Sequence, residues 1–279
     1  MDTIIGLGSV GTRIANEFGK KPQYNIITID HDEGATVRIP EKDHPEDYES
    51  SYPDLTRQLS DVTEESLFVL SGASIISGAA LRILQQLHKK TKLNILYIRP
   101  DTDTLSETRK LQERLVFNIM QEYSRSGVFN QFYAIDNQLV DDILGGAPIM
   151  GYYDKLNEII VATIHMVNVF NHSESIVGTL SRPSEICRIS TFGILNPETG
   201  EESMFFDLNN TREKSYYYAI PEGSLRNDKG LMSSIKKQVK DKPQEKDVKV
   251  SYGVFSTGYN EKYAYIVANS AQIQSEKKA

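Results

Sequence analysis

The chain has 279 residues, 39% of them hydrophobic, and a formal net charge of −7, enough length for one large domain or two moderate ones whose cores hold without staples. The negative balance is the wrong sign for a protein that neutralises phosphates along nucleic acid, and it excludes nucleic acid as the main partner. With one cysteine, Cys187, no basic and apolar leader before Ile4, and no apolar run near the roughly 18 residues that cross a bilayer, a cytoplasmic protein with no disulfide and no membrane partner is expected.

In chain order, "TIIGLGSVGTRIANEFGK" reads as strand, glycine turn and helix, and "YNIITID" as a second strand ending at Asp30. Residues 31–60 are polar and aperiodic, which predicts loops with one short helix at the rim of a site. A core strand follows in "SLFVLSG", then a helix in "SGAALRILQQLHKK" with Leu81, Leu84 and Leu87 along one side, then the strand "LNILYIRP". Leu105 to Tyr123 is helical, "FNQFYAI" is a strand, and "NQLVDDIL" is a short helix ending at Gly145 and Gly146. Leu156, Ile159, Ile160, Thr163, Ile164, Val167 and Phe170 make the longest 3.6-residue stripe, a largely buried helix of about five turns. Strands alternating with helices predict a Rossmann-like, mainly parallel sheet covered on both faces.

Beyond about residue 180 the texture turns strand-rich: "ICRISTFGIL", "ESMFFDL", "KSYYYAI", a helix near 229 to 240 and the strands "VKVSYGVFS" and "EKYAYIVANS". The last two are expected to form a hairpin through "TGYNEK". Lys236, Lys237, Lys240 and Lys242 read as a solvated helix face, "KDKPQEKD" as a low-complexity link and "QSEKKA" as a frayed tail. The expected division is a nucleotide-binding domain at 1–152, a connecting helix at 153–172 and a smaller α+β domain at 173–279.

Gly6, Gly8 and Gly11, with Ser9 and Thr12 in the same turn, stand between a strand and a helix. There bare backbone approaches an anion and the helix end offers free N–H groups, which suits phosphate. The string is also a dinucleotide fingerprint: Asp30, 19 residues past Gly11, stands where a ribose-binding acid would sit, which supports an NAD(P)-dependent oxidoreductase. A third reading gives the glycines only tight strand-to-helix packing. The five histidines fall at no metal-ligand spacing, and no zinc site is expected.

Over about residues 3 to 272 the order of elements resembles the tubulin and FtsZ superfamily. "IIGLGSVGTRIAN" is similar to its first phosphate loop, "LFVLSGASIISGAALRIL" to its strand and glycine-threonine signature, and "YDKLNEII" to the start of its central helix. "YYYAIPEGSL" and the last two strands resemble its activation domain. The resemblance implies GTP or GDP as ligand, with Mg²⁺ an optional companion. It also implies head-to-tail association with copies of the chain, and a filament former or regulator to which a protein adaptor attaches. Asn137 matches the asparagine on the base and Glu158 stands where the family has an aspartate on guanine N1 and N2, with Asn157 beside it. A carboxylate accepts from two adjacent N–H donors of guanine and meets an acceptor on adenine. The same residues also fit simpler roles, Asn137 as a helix cap and Glu158 as a solvated helix acid.

Two stretches depart from the family. Its second phosphate loop is "GGGTGTG", whereas this chain has "GASIISG" from Gly72 to Gly78. Ser74, Ser77, Gly78 and the amides of Ala79 and Ala80 remain to face an anion, and Arg13 reads either as a guanidinium that restores phosphate affinity or as a solvent-facing helix arginine. Hydrolysis in the family needs acids of the pattern Asn-x-Asp-x-x-Asp after the central helix. Here "LSRPSEICR" puts Pro183 and Ile186 on acid positions and leaves only Glu185, which implies feeble or absent GTPase activity. A member that has lost nucleotide and serves as an interaction scaffold is the remaining alternative.

Overall fold

The computed structural model describes residues 1–51, 54–146, 148–241 and 248–275. It separates into two compact units, Met1–Val161 with the segment from Ile273, and Ala162–Gln272.

In the first unit the chain runs β1 (Thr3–Leu7), α1 (Gly8–Gly19), β2 (Asn25–Asp30), β3 (Val37–Arg38), α2 (Pro45–Ser50), β4 (Glu65–Leu70), α3 (Ala80–Leu87), β5 (Lys92–Arg99), α4 (Glu107–Arg125), β6 (Gln131–Asp136), α5 (Asn137–Leu144) and the start of α6 (Tyr152–Asn171). The strand order is β3-β2-β1-β4-β5-β6 and every pairing is parallel. Continuous apolar runs such as Leu93, Ile95, Leu96, Tyr97 and Ile98 are buried along β5, as a strand covered on both faces requires. From β1 the chain steps outward through β2 and β3, then returns to the other side of β1 for β4, β5 and β6. That reversal leaves a crevice between the carboxyl ends of β1 and β4, the place where open parallel sheets hold their ligands.

The short helix expected in 31–60 is α2, and the two-residue β3 there carries too little pattern to read. Leu156, Ile160, Thr163, Ile164, Val167 and Phe170 are buried along α6. The units divide inside this helix, after Val161, so each half packs in its own unit. The tail departs from expectation at Gln274, which is fully buried: its N–H donates to Gln121 Oε1 at 2.7 Å and its carbonyl accepts from Gln121 Nε2 at 3.2 Å. A side-chain amide of α4 thus satisfies both backbone groups of one residue and ties the C-terminal segment down.

The second unit continues with β7 (Val177–Thr179), β8 (Ile189–Leu195), β9 (Glu202–Met204), β10 (Thr211–Pro221), α7 (Glu222–Asn227), α8 (Leu231–Asp241), β11 (Lys249–Thr257) and β12 (Tyr263–Ser270). Its strand order is β9-β8-β12-β10-β11-β7. The expected hairpin between the last two strands does not form. β10 lies between them, parallel to β11 and antiparallel to β12. The α7–α8 connection is long enough for the parallel crossover, and β10, buried from Ser215 onward, takes the centre. Tyr216, Tyr218, Ile220, Val254 and Ile266 form one core with Ile235 of α8. On α6, Phe170 stacks on Phe255 with centroids 4.4 Å apart, and Tyr217 donates to Asn171 Oδ1 at 2.9 Å. The charged link lies mostly outside the described residues. Among the described residues no helix is long and apolar enough to cross a membrane.

Candidate functional site

The glycine turn opens α1 at the β1–β4 crevice. No side chain caps the helix start and no acid lies in its first turn, so the positive end of the dipole is left to whatever sits there. The three glycines play different parts. A Cβ on Gly6 would lie 2.2 Å from the carbonyl oxygen of Gly11, and one on Gly11 would lie 2.5 Å from that of Val69. Both let α1 press onto β1 and β4. Gly8 has φ +69°, a left-handed conformation that favours glycine, and forms the turn itself. Ser9 is exposed at the helix start, and Thr12 buries its Oγ1 with no hydrogen-bond partner among the described residues.

The second wall is built differently from the resemblance. Gly72 abuts Tyr97, whose hydroxyl would be 2.1 Å from an added Cβ, and Gly78 abuts the carbonyl of Pro45. The Ser77 hydroxyl donates to the Gly72 carbonyl at 2.9 Å and accepts from Gln112 Nε2 at 3.2 Å, so it is spent on holding the loop. Ala79 is buried at the start of α3. Ser74 precedes a 3-10 turn at Ile75–Ala79 and brings its hydroxyl near Gly8. Ile76, 4% exposed, lays its Cγ2 methyl directly on Gly8, 2.6 Å from where a Cβ would be.

Behind this loop lies a polar network that the sequence reading missed. Glu113 of α4, 1% exposed, faces Arg99 Nε at 3.7 Å and accepts from the Tyr97 hydroxyl at 3.1 Å. Burial, with the charge of Glu113, holds the Tyr97 hydroxyl well above its ordinary pKa. Arg99 also reaches Asp136 at 3.9 Å, the residue whose carboxylate caps α5 by accepting from the Gln138 N–H. The sequence signal was an acid, Glu113, one helical turn before the apolar Val116, Phe117 and Met120 of α4.

Since Asp136 supplies the cap, Asn137 does not, and Asn137 buries its Oδ1 without a partner among the described residues. Asn157 is buried one helical turn beyond Tyr153, whose ring lies 6.0 Å from the Arg13 guanidinium. Arg13 therefore stands over an aromatic ring of α6. Glu158 is exposed, bonds Lys155 at 2.8 Å, and is held below the ordinary carboxylate range first by that bond and then by the charges of Lys155, Lys20 and Lys21. Those last two lysines follow the C-terminal end of α1, about 18 Å along the helix from Gly8. The structure thus buries Asn157 on α6 and sets the exposed Glu158 carboxylate toward the far end of α1. A single residue step on a helix turns a side chain by about 100°, which separates the two neighbours.

One wall of the crevice fits a phosphate and the other, as it stands, does not. Asp30, the acid of the dinucleotide reading, is 1% exposed and accepts from the His31 N–H at 2.8 Å, so it is turned into its own loop. Asp30, His31 and Asp32, contiguous in one turn, bring one ligand atom each within 4.8 Å of one another. In the second unit Glu185 is exposed in a turn where the neighbouring Ser184 N–H donates to Glu213.

No protein-family profile matches this sequence, and no curated protein does. Solved structures do match. An FtsZ dimer of M. jannaschii superposes with a TM-score of 0.69 at 10% identity, over 97% of this chain and 88% of that one. A GTPγS-form protofilament of Bacillus thuringiensis serovar israelensis TubZ gives 0.74 at 12%, over 97% and 86%. GDP-form protofilaments of the same protein give 0.72 at 13%, over 96% and 83%. With this element order and this parallel sheet, the chain has a tubulin/FtsZ-like fold.

Proposed function

We propose that this chain is a guanine-nucleotide-binding protein that associates head to tail with copies of itself, as a filament former or a regulator of one, and that it hydrolyses GTP weakly or not at all. The observation that carries the reading is the uncapped start of α1 at the β1–β4 crevice, with two buried oxygens, Thr12 Oγ1 and Asn137 Oδ1, lacking partners among the described residues along the same edge of the sheet. Buried polar atoms without a partner are costly, and a bound ligand relieves that cost. The free amides of Gly8 and Ser9 would hold the phosphates, while Asn137 and Asn157 would meet the base. The nucleotide would supply the charge that the helix end lacks.

Self-association draws support from the fold and from an apolar pair, Ile149 and Met150, 95% and 92% exposed. Weak hydrolysis follows from Pro183 and Ile186 standing where the resemblance expects acids, with Glu185 alone retained. The contact of Ile76 with Gly8 favours a second reading, a scaffold of the same fold that binds no nucleotide.

Thermal denaturation with GDP, GTP, ADP and NAD separates the readings. A ligand at a hundred times its Kd stabilises the folded chain by about 2.7 kcal/mol. GDP and GTP are expected to raise the melting temperature and ADP and NAD to leave it unchanged. No shift at millimolar GDP and GTP would favour the scaffold, and an equal shift with ADP would remove the guanine preference.

A further inference from the structure

We infer that Ile76 is a steric plug in the phosphate crevice: the resting chain keeps its two phosphate-facing loops shut on each other, and nucleotide affinity is set by the cost of moving this one side chain. The inference rests on the nucleotide reading above. An anion gripped from both sides needs a hydrogen-bond distance to each wall. Here the walls touch, because the Ile76 Cγ2 methyl lies against Gly8, with Ser74 Oγ the next nearest atom at 3.8 Å from the same point. The methyl is β-branched and stiff at χ1, so it does not swing aside freely.

The loop that carries Ile76 is fastened on both flanks. Ser77, its neighbour, bridges the Gly72 carbonyl and Gln112, and Gly78 is pressed onto Pro45. Ile75, by contrast, points out and is 37% exposed. A closed state of this kind multiplies the intrinsic affinity by the fraction of molecules that are open, and so weakens binding. Replacements that shorten or rebranch Ile76 therefore raise affinity for the phosphate-bearing ligand and leave affinity for the bare nucleoside alone, because guanosine has nothing to place in the crevice.

The test is calorimetric titration of the nucleotide-free full chain with GDP and, separately, guanosine. Ile76→Leu keeps the volume but removes the methyl from Cβ, Ile76→Ala opens the site further, and Ile75→Ala is the control; thermal melts verify that each variant folds. The expected result is GDP binding tighter by about tenfold or more in both Ile76 variants, with guanosine unchanged and the control at the wild-type value. Measurable GDP binding that is equal in all four proteins overturns the plug and leaves the nucleotide reading standing. A matching gain for guanosine overturns it too, as general loosening. No GDP binding by any folded variant overturns both.

Discussion

At the scale of single residues, three glycines that look alike in the sequence do different things. Gly6 and Gly11 exist for contact between α1 and the sheet, whereas Gly8 makes the turn. Gly6→Ala forces a carbon to 2.2 Å from a backbone oxygen that cannot rotate away, and overpacking of this kind costs about 2 to 3 kcal/mol. Denaturant unfolding should show that loss; a variant within 0.5 kcal/mol of wild type, about the spread of a neutral surface change, would mean that helix and strand shift apart cheaply. The glycine string and its place between strand and helix were legible in the sequence. Which glycines serve packing was not, because that depends on β4, brought beside β1 only by the fold. The same limit applies to Asn157 and Glu158. Their adjacency and polarity were readable, but the direction each faces is fixed by where α1 lies.

Among the elements, most were legible because the helices repeat apolar residues every 3.6 positions and the buried strands are short continuous apolar runs. The pairing of β11 and β12 was not, since a short connecting segment suggests a hairpin while strand order is decided by β10. β10 also carries a pH dependence. Burial pushes the Tyr217 hydroxyl up to about 12 from an ordinary 10, and the group donates to Asn171 on α6. A raised folded-state pKa means that the folded chain holds this proton more tightly than the unfolded chain. The stability it contributes is therefore complete below pH 10 and drains away between pH 10 and 12. Urea unfolding at pH 9 and pH 11.5 should show a loss of which about 2 kcal/mol disappears in Tyr217→Phe. The remainder includes Tyr97, Tyr216, Tyr218 and Tyr265, which burial raises as well. An identical loss in the variant would show that Tyr217 titrates as freely folded as unfolded.

For the whole molecule, the fold places an uncapped helix end in the crevice of a parallel sheet, with Ile76 of the opposite loop resting on Gly8. Under the proposed function the chain is expected to turn GTP over slowly, and raising its concentration should add little, because Pro183 and Ile186 stand where the resemblance expects the acids of a neighbouring copy. Phosphate release across a concentration series tests this. A specific rate that climbs steeply with protein concentration would mean that Glu185 or another acid suffices.

The most direct test of the account is a crystal structure of the full chain grown with GDP. The diphosphate is predicted against the amides of Gly8 and Ser9, with Ile76 displaced from Gly8 and the base between Asn137 and Asn157. A crevice still closed at saturating GDP, or the nucleotide bound anywhere else on the chain, would contradict it.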